Sequence, residues 1–118
     1  TIWGTGKPLR EFVFVDDAAD ACVQLMMHHS DATPVNVGSG QEIAILDLAR
    51  LVAHVVGFAG EIATDPAKPD GTPRKRLDTT VMDGLGWCAR VPLEEGIETT
   101  YRAFLDGDWR DGDRFRIA

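Results

Sequence analysis

The stretch Phe12-Val13-Phe14-Val15-Asp16-Asp17-Ala18-Ala19-Asp20-Ala21-Cys22-Val23-Gln24-Leu25-Met26-Met27 decides how this chain reads. Its first four residues form a continuous apolar run, the pattern of a strand buried on both faces. Asp16 and Asp17 follow at once, and a carboxylate at either place can cap the next helix by accepting from its free N–H groups. Ala18, Ala21, Cys22, Leu25 and Met26 then recur at helical spacing. Val23 and Met27 widen that stripe, so the helix is expected to touch partners on more than one side. Cys22 on the stripe reads as a small core residue. Val35-Asn36-Val37, closed by Gly38-Ser39-Gly40, supplies a second short strand. Strand, helix and strand over 12–37 suit a parallel crossover and an α/β fold.

Outward from this unit the pattern alternates in the same way. Residues 1–11 carry two glycines, a proline and two basic residues and read as a loop. Ile45, Leu48, Ala49, Val52 and Val56 mark an amphipathic helix that stops at Gly57. Glu61 to Thr64 suits a strand, and 65–76 is a loop dense in proline, glycine and charge. After a short segment near Thr79 to Leu85, Pro92 opens a last helix in the first-turn position that proline favours. Leu93, Ile97, Tyr101 and Phe104 supply its buried face, and the polar tail from Asp106 onward reads as loose.

With 118 residues, 44% hydrophobic and 26% charged, the chain has the composition of one soluble domain. A complete dinucleotide-binding domain plus a substrate domain would not fit in it. The net charge of -7 argues against binding to nucleic acid or an anionic membrane. No apolar run approaches the roughly 20 residues of a membrane span. Cys22 and Cys88 are too few for a disulfide framework or a zinc site, so a reducing, cytoplasmic setting is the default. The chain opens at Thr1 inside sequence that reads as structured, and it is expected to be a piece of something longer.

The most informative chemical feature is a local reversal of charge. Lys68-Pro69-Asp70-Gly71-Thr72-Pro73-Arg74-Lys75-Arg76 holds four of the twelve basic residues of an acidic chain. Two prolines stiffen it and Gly71 permits close approach. Such a loop suits a phosphate or diphosphate, because guanidinium binds phosphate bidentately and ammonium acts as a point charge. The same composition also describes a solvated loop with no specific task. Trp3-Gly4-Thr5-Gly6-Lys7-Pro8-Leu9-Arg10 offers an aromatic, two glycines and two cations, which serve either a base, sugar and phosphate or a turn with a packing tryptophan.

Other motifs fall away on context. Gly57-Phe58-Ala59-Gly60-Glu61-Ile62-Ala63 follows a helix, whereas a phosphate-cradling glycine loop must precede one. Gly38-Ser39-Gly40 lacks the later glycine and reads as a turn. Tyr101 lies on a buried helical stripe with Leu105, not lysine, four residues on. His28, His29 and His54 lie on or beside helices; the neighbours His28 and His29 cannot both face one site and neither has a further ligand four residues on, so a metal site is not expected. Asp16 and Asp17 read as caps before they read as a catalytic pair. No catalytic apparatus assembles from these residues.

Ile2-Trp3-Gly4-Thr5-Gly6-Lys7-Pro8-Leu9-Arg10-Glu11-Phe12, Val15-Asp16-Asp17 and Asn36-Val37-Gly38-Ser39-Gly40 together resemble the C-terminal, substrate-binding part of extended short-chain dehydrogenase/reductases acting on sugar nucleotides. The stretch from Lys68 to Asp78, with Leu85-Gly86-Trp87 after it, narrows the resemblance to the GDP-L-fucose synthase family. The likeness runs almost the whole chain, as far as Asp113-Arg114-Phe115. The resemblance implies an α/β fold without the nucleotide-binding Rossmann core, taken from a cytoplasmic, homodimeric, NADPH-dependent epimerase/reductase. Such an enzyme epimerises GDP-4-keto-6-deoxy-D-mannose at two carbons and reduces it to GDP-L-fucose.

In that family the N-terminal part binds NADP and carries the catalytic Ser, Tyr, Lys, Cys and His, none of which matches a position here. The matching substrate-binding positions are Trp3, Arg10, Asp70 and Lys75, with Arg74 a further candidate. Arg10 and Lys75 would meet the diphosphate, Trp3 would help form the nucleotide pocket, and Asp70 would accept from guanine or sugar hydroxyls. The resemblance also implies that 12–40 packs on the missing Rossmann domain while 41–110 forms the substrate domain proper. Alone, the chain is then expected to be inactive, to lack a cofactor site and to leave apolar surface that favours a dimer. Two other readings stand beside this one: a stand-alone sugar-nucleotide or protein-interaction module, and a fragment of another sugar-nucleotide epimerase or dehydratase.

Overall fold

The computed structural model describes residues 1–107. In chain order these form β1 (Ile2–Trp3), β2 (Leu9–Glu11), α1 (Val15–His28), β3 (Glu42–Ala44), α2 (Ile45–Val56), β4 (Thr64–Asp65), α3 (Thr80–Gly84) and α4 (Leu93–Asp106). The α/β class expected from the alternation holds. The strands make two separate two-stranded ladders. β1 runs parallel to β4, with Ile2 opposite Thr64 and Trp3 opposite Asp65. β2 runs antiparallel to β3, pairing Leu9 with Ala44, Arg10 with Ile43 and Glu11 with Glu42. The expected tail from Asp106 onward lies mostly outside the described residues.

The first unit departs from its sequence reading. The strand is Leu9–Glu11, inside the stretch that reads as a loop, and the apolar run from Phe12 only leads into α1, which begins at Val15. A strand needs a partner for its backbone groups; β3 offers one to 9–11, and no described residue offers one to 12–15. For the same reason Val35-Asn36-Val37 joins no ladder among the described residues, and the expected crossover is not formed. Neither aspartate caps α1: Phe14 holds the N-cap position without a side-chain bond. Asp17 instead lies buried, its Oδ2 accepting from the backbone N–H of Arg90 (3.0 Å) and Val91 (2.9 Å).

The later helices start and stop near their local signals, but Phe104, expected on the buried face of the last one, is 55% exposed. α2 ends where Gly57 turns left-handed at φ 71°, a conformation glycine adopts without a Cβ clash. α4 starts after Pro92, which sits one place earlier than read, at the N-cap. Gly96 on α4 faces Phe14: a Cβ there would stand 3.2 Å from the ring.

The buried centre is small. Ala21, Met82 and Trp87 are buried, with Leu25, Val35, Val37 and Ala89 packed around them. The Trp87 indole N–H donates to Asp20 at 2.8 Å, so α1 lies on the 82–91 segment through Asp17, Asp20, Ala21 and Leu25. Its opposite face is bare. Val15, Cys22, Val23, Met26 and Met27 are exposed along one stripe, Met26 to 85%. Cys22 therefore belongs to the uncovered side of the helix, not to the core. A second apolar concavity, about 590 Å³, opens between α2, α4 and the 12–15 segment. Among the described residues no helix is long and apolar enough to cross a membrane.

Candidate functional site

Three segments distant in sequence meet beside the two ladders: the 3–10 loop, the basic 65–78 loop and the 38–44 turn and strand. Gly4 and Gly6 start the convergence. Both have positive φ, 79° and 72°, and a Cβ on Gly6 would stand 2.8 Å from the Cβ of Leu46. With no side chain in the way, the loop lies across the start of α2. The carbonyls of Pro8 and Gly6 accept from the N–H groups of Ile45 (3.1 Å) and Leu46 (2.9 Å), meeting donors a helix N-terminus would otherwise leave unpaired.

The basic loop is then tied along this frame. The Lys68 ammonium lies 5.5 Å from the Trp3 ring centroid, a cation–π distance. The Asp70 carboxylate accepts from both the backbone N–H and the hydroxyl of Thr5, each at 2.7 Å. Those bonds, the hydroxyl first, hold the Asp70 acid below the usual carboxylate range. The Leu9 N–H donates to the Pro73 carbonyl at 2.9 Å. Arg10 donates from Nη1 to the Thr72 carbonyl at 2.8 Å, and its Nη2 lies 3.0 Å from where a Cβ on Gly71 would be. Gly71 thus gives the guanidinium its place.

Farther along, Arg74 grips Glu42 on β3 through Nε, 2.8 and 2.9 Å from the two carboxylate oxygens, and through Nη2. The bond to Arg74 holds Glu42 below its ordinary pKa and raises that of the guanidinium. Glu11 on β2 accepts from the N–H of Leu77 (3.2 Å) and of Gly40 (2.7 Å). The side chains of Lys75 and Arg76, between these ties, make no hydrogen bond or ion pair with any described residue.

Of the residues expected at the site, Trp3, Arg10 and Asp70 are brought together on one frame, and Arg74 and Lys75 follow on the same loop. Arg74 has its charge engaged by Glu42, and Asp70 has both oxygens engaged by Thr5. Trp3 is 73% exposed. None of these five lines the 590 Å³ groove, the cavity beside Ser39 and Arg90 or the shallow one beside Arg76; Asp70, Arg74 and Lys75 are exposed like Trp3 and Arg10 is half-buried, so they form an open rim. The sequence reading missed three structural members of the site: Thr5, Glu11 and Glu42. Their partners stand 65, 66 and 32 residues away in sequence, and no local pattern announces such pairs. Among the described residues no cluster of His, Cys, Asp and Glu could hold a metal ion.

Residues 1–38 match the NAD dependent epimerase/dehydratase family. The chain is 52% identical over 105 residues to the probable GDP-L-fucose synthase 1 of Oryza sativa subsp. japonica, covering 89% of this chain and 32% of that protein. It is 43% identical to the GDP-L-fucose synthase of Escherichia coli K12, covering 98% of this chain and 37% of that one. A crystal structure of a GDP-L-fucose synthetase from Naegleria fowleri bound to NADP matches with a TM-score of 0.83 at 25% identity, over 91% of this chain and 34% of that chain. The resemblance carried by the motifs thus extends over most of the chain, which spans about a third of the length of these relatives.

Proposed function

We propose that this chain is the GDP-sugar-binding third of an NADPH-dependent enzyme that epimerises GDP-4-keto-6-deoxy-D-mannose and reduces it to GDP-L-fucose. The observation that carries the reading is the rim itself: an aromatic, Arg10 and a cationic loop tied to one frame by backbone and side-chain bonds, on a chain otherwise strongly acidic. Cations held in advance bind an anion with less ordering cost than free ones. In this reading Lys75, free of partners, meets the diphosphate as a point charge, and Arg10 meets it with the donors not spent on Thr72 and Leu9. Trp3 covers the nucleotide, and the closed Asp70–Thr5 contact keeps the two loops together beneath it.

The open form of the rim fits a pocket whose other wall comes from the rest of the protein. The exposed stripe Val15–Met27 of α1 is the surface that would receive that part, which holds the cofactor and the groups that move protons and hydride. This chain's own contribution is to bind and orient the nucleotide end of the substrate. The test is calorimetric titration of the full-length protein with GDP, UDP and dTDP. GDP should bind measurably and the other two weakly; UDP or dTDP binding as well as GDP would assign the chain to a different sugar-nucleotide enzyme. The isolated chain titrated with NADPH should give no heat of binding, and a clear isotherm would contradict the placing of the cofactor elsewhere.

A further inference from the structure

Glu11 and Glu42 stand directly opposite each other across the β2–β3 ladder. Like charges in that relation destabilise an antiparallel pair. Each of the two, however, is turned to the same task from a different side. Glu42, its side chain only 11% exposed, takes the fork of Arg74. Glu11 takes the backbone N–H of Leu77 with one oxygen and that of Gly40 with the other. Gly38 makes room for it, since a Cβ there would stand 2.2 Å from the Glu11 Oε1. The loop is therefore pinned at 74 and at 77, and the side chains of the two residues between the pins, Lys75 and Arg76, make no hydrogen bond or ion pair among the described residues, the Arg76 charge acting on Glu42 only at longer range.

We propose that Glu11 and Glu42 are positioning residues that clamp the cationic loop on both sides of Lys75 and so fix where its ammonium meets a nucleotide diphosphate. The inference rests on the GDP-sugar reading above. It also accounts for two carboxylates beside a site meant for an anion: they act through the loop they hold, not on the ligand.

The two possible effects of these carboxylates have opposite signs, which makes the test decisive. If they acted only as charges, neutralising one would favour a bound phosphate and tighten binding. If they act as clamps, neutralising one frees the loop and loosens it. Glutamine keeps the size and one acceptor oxygen but sets an NH2 group against a backbone N–H or against Arg74. GDP affinity of the full-length protein should fall about tenfold in Glu11→Gln and in Glu42→Gln, the loss of one charge-assisted bond. In a Lys75→Ala background Glu11→Gln should cost little more, because the residue it positions is already gone. Unchanged or tighter binding in the single variants, or an undiminished loss in the Lys75→Ala background, would overturn the clamp. If Glu11→Gln does not fold, the sign of the change in Glu42→Gln decides. A wild-type protein that fails to bind GDP overturns the functional reading and the clamp together, whereas a wild type that binds alongside variants that bind equally well overturns the clamp alone.

Discussion

Replacing Asp17 by alanine should unfold this structure more readily than any change at the neighbouring Asp16. Asp17 is 8% exposed and its Oδ2 accepts two backbone N–H groups, from Arg90 and Val91. Hydrogen bonds to a charged group contribute about 1.5–3 kcal/mol each, and a buried donor left unpaired costs about 1–3 kcal/mol. The two bonds share one oxygen, and water can reach the N–H of exposed Arg90, so the terms do not add fully. A loss of about 3 kcal/mol is expected, a large part of a typical domain stability of about 5–15 kcal/mol. In a thermal melt this corresponds to a fall in Tm on the order of 10–20 °C. Asp17→Asn keeps an oxygen that accepts the same two donors and gives up only the charge, so about 1 kcal/mol should go. Urea unfolding of the three proteins reads both numbers. An Asp17→Ala loss below about 1 kcal/mol, or an asparagine as costly as the alanine, would refute the reasoning.

Two further outcomes are expected. Gly38→Ala should displace the Glu11 carboxylate, 2.2 Å from the new Cβ, and weaken GDP binding several-fold while the backbone tolerates alanine; wild-type affinity in that variant would show that the glycine leaves room for nothing important. The depressed acids Asp70, Glu42 and Asp78 owe their shifts to bonds from Thr5, Arg74 and Thr80 respectively. A carboxyl depressed in the folded state gives stabilisation that is full above its unfolded value and is lost as pH falls through the folded one. The Thr5 amide proton in an NMR titration should therefore hold its bonded shift from neutral pH down through the usual aspartate range and change only below about 3.9; a midpoint above that value would contradict the Asp70–Thr5 bond.

What could be read from the sequence was what local physics decides. α2 is complete in its own periodicity and its terminal Gly57, and α1 shows its two apolar faces in the wide stripe from Ala18 to Met27. The charge reversal at 68–76 likewise needs no fold to be seen. The strands were not legible, because β1 pairs with residues about sixty positions on and β2 with residues about thirty on. The apolar run at Phe12–Val15 misled for a related reason: a run of that kind signals burial, whereas Phe12 and Val15 are exposed and Val13 and Phe14 only half-buried beside α2 and α4. Asp17 stands inside the first turn of α1, not at its N-cap, and spends its oxygen on Arg90 and Val91, across 73 and 74 residues. At the site, Trp3, Arg10 and the basic loop were visible as chemistry. Thr5, Glu11 and Glu42, which hold that chemistry in place, were invisible until the loops met.

Lys75 is, with Arg76, one of two cations between the pins of the loop whose side chains make no hydrogen bond or ion pair among the described residues, and it is the one proposed to meet the diphosphate. Lys75→Ala removes no hydrogen bond or ion pair among the described residues, so the variant should melt as the wild type does. Calorimetric titration of GDP into the full-length variant should nonetheless show affinity reduced by about 1.5–3 kcal/mol, roughly 10- to 150-fold. GDP binding as tight as in the wild type would contradict the account.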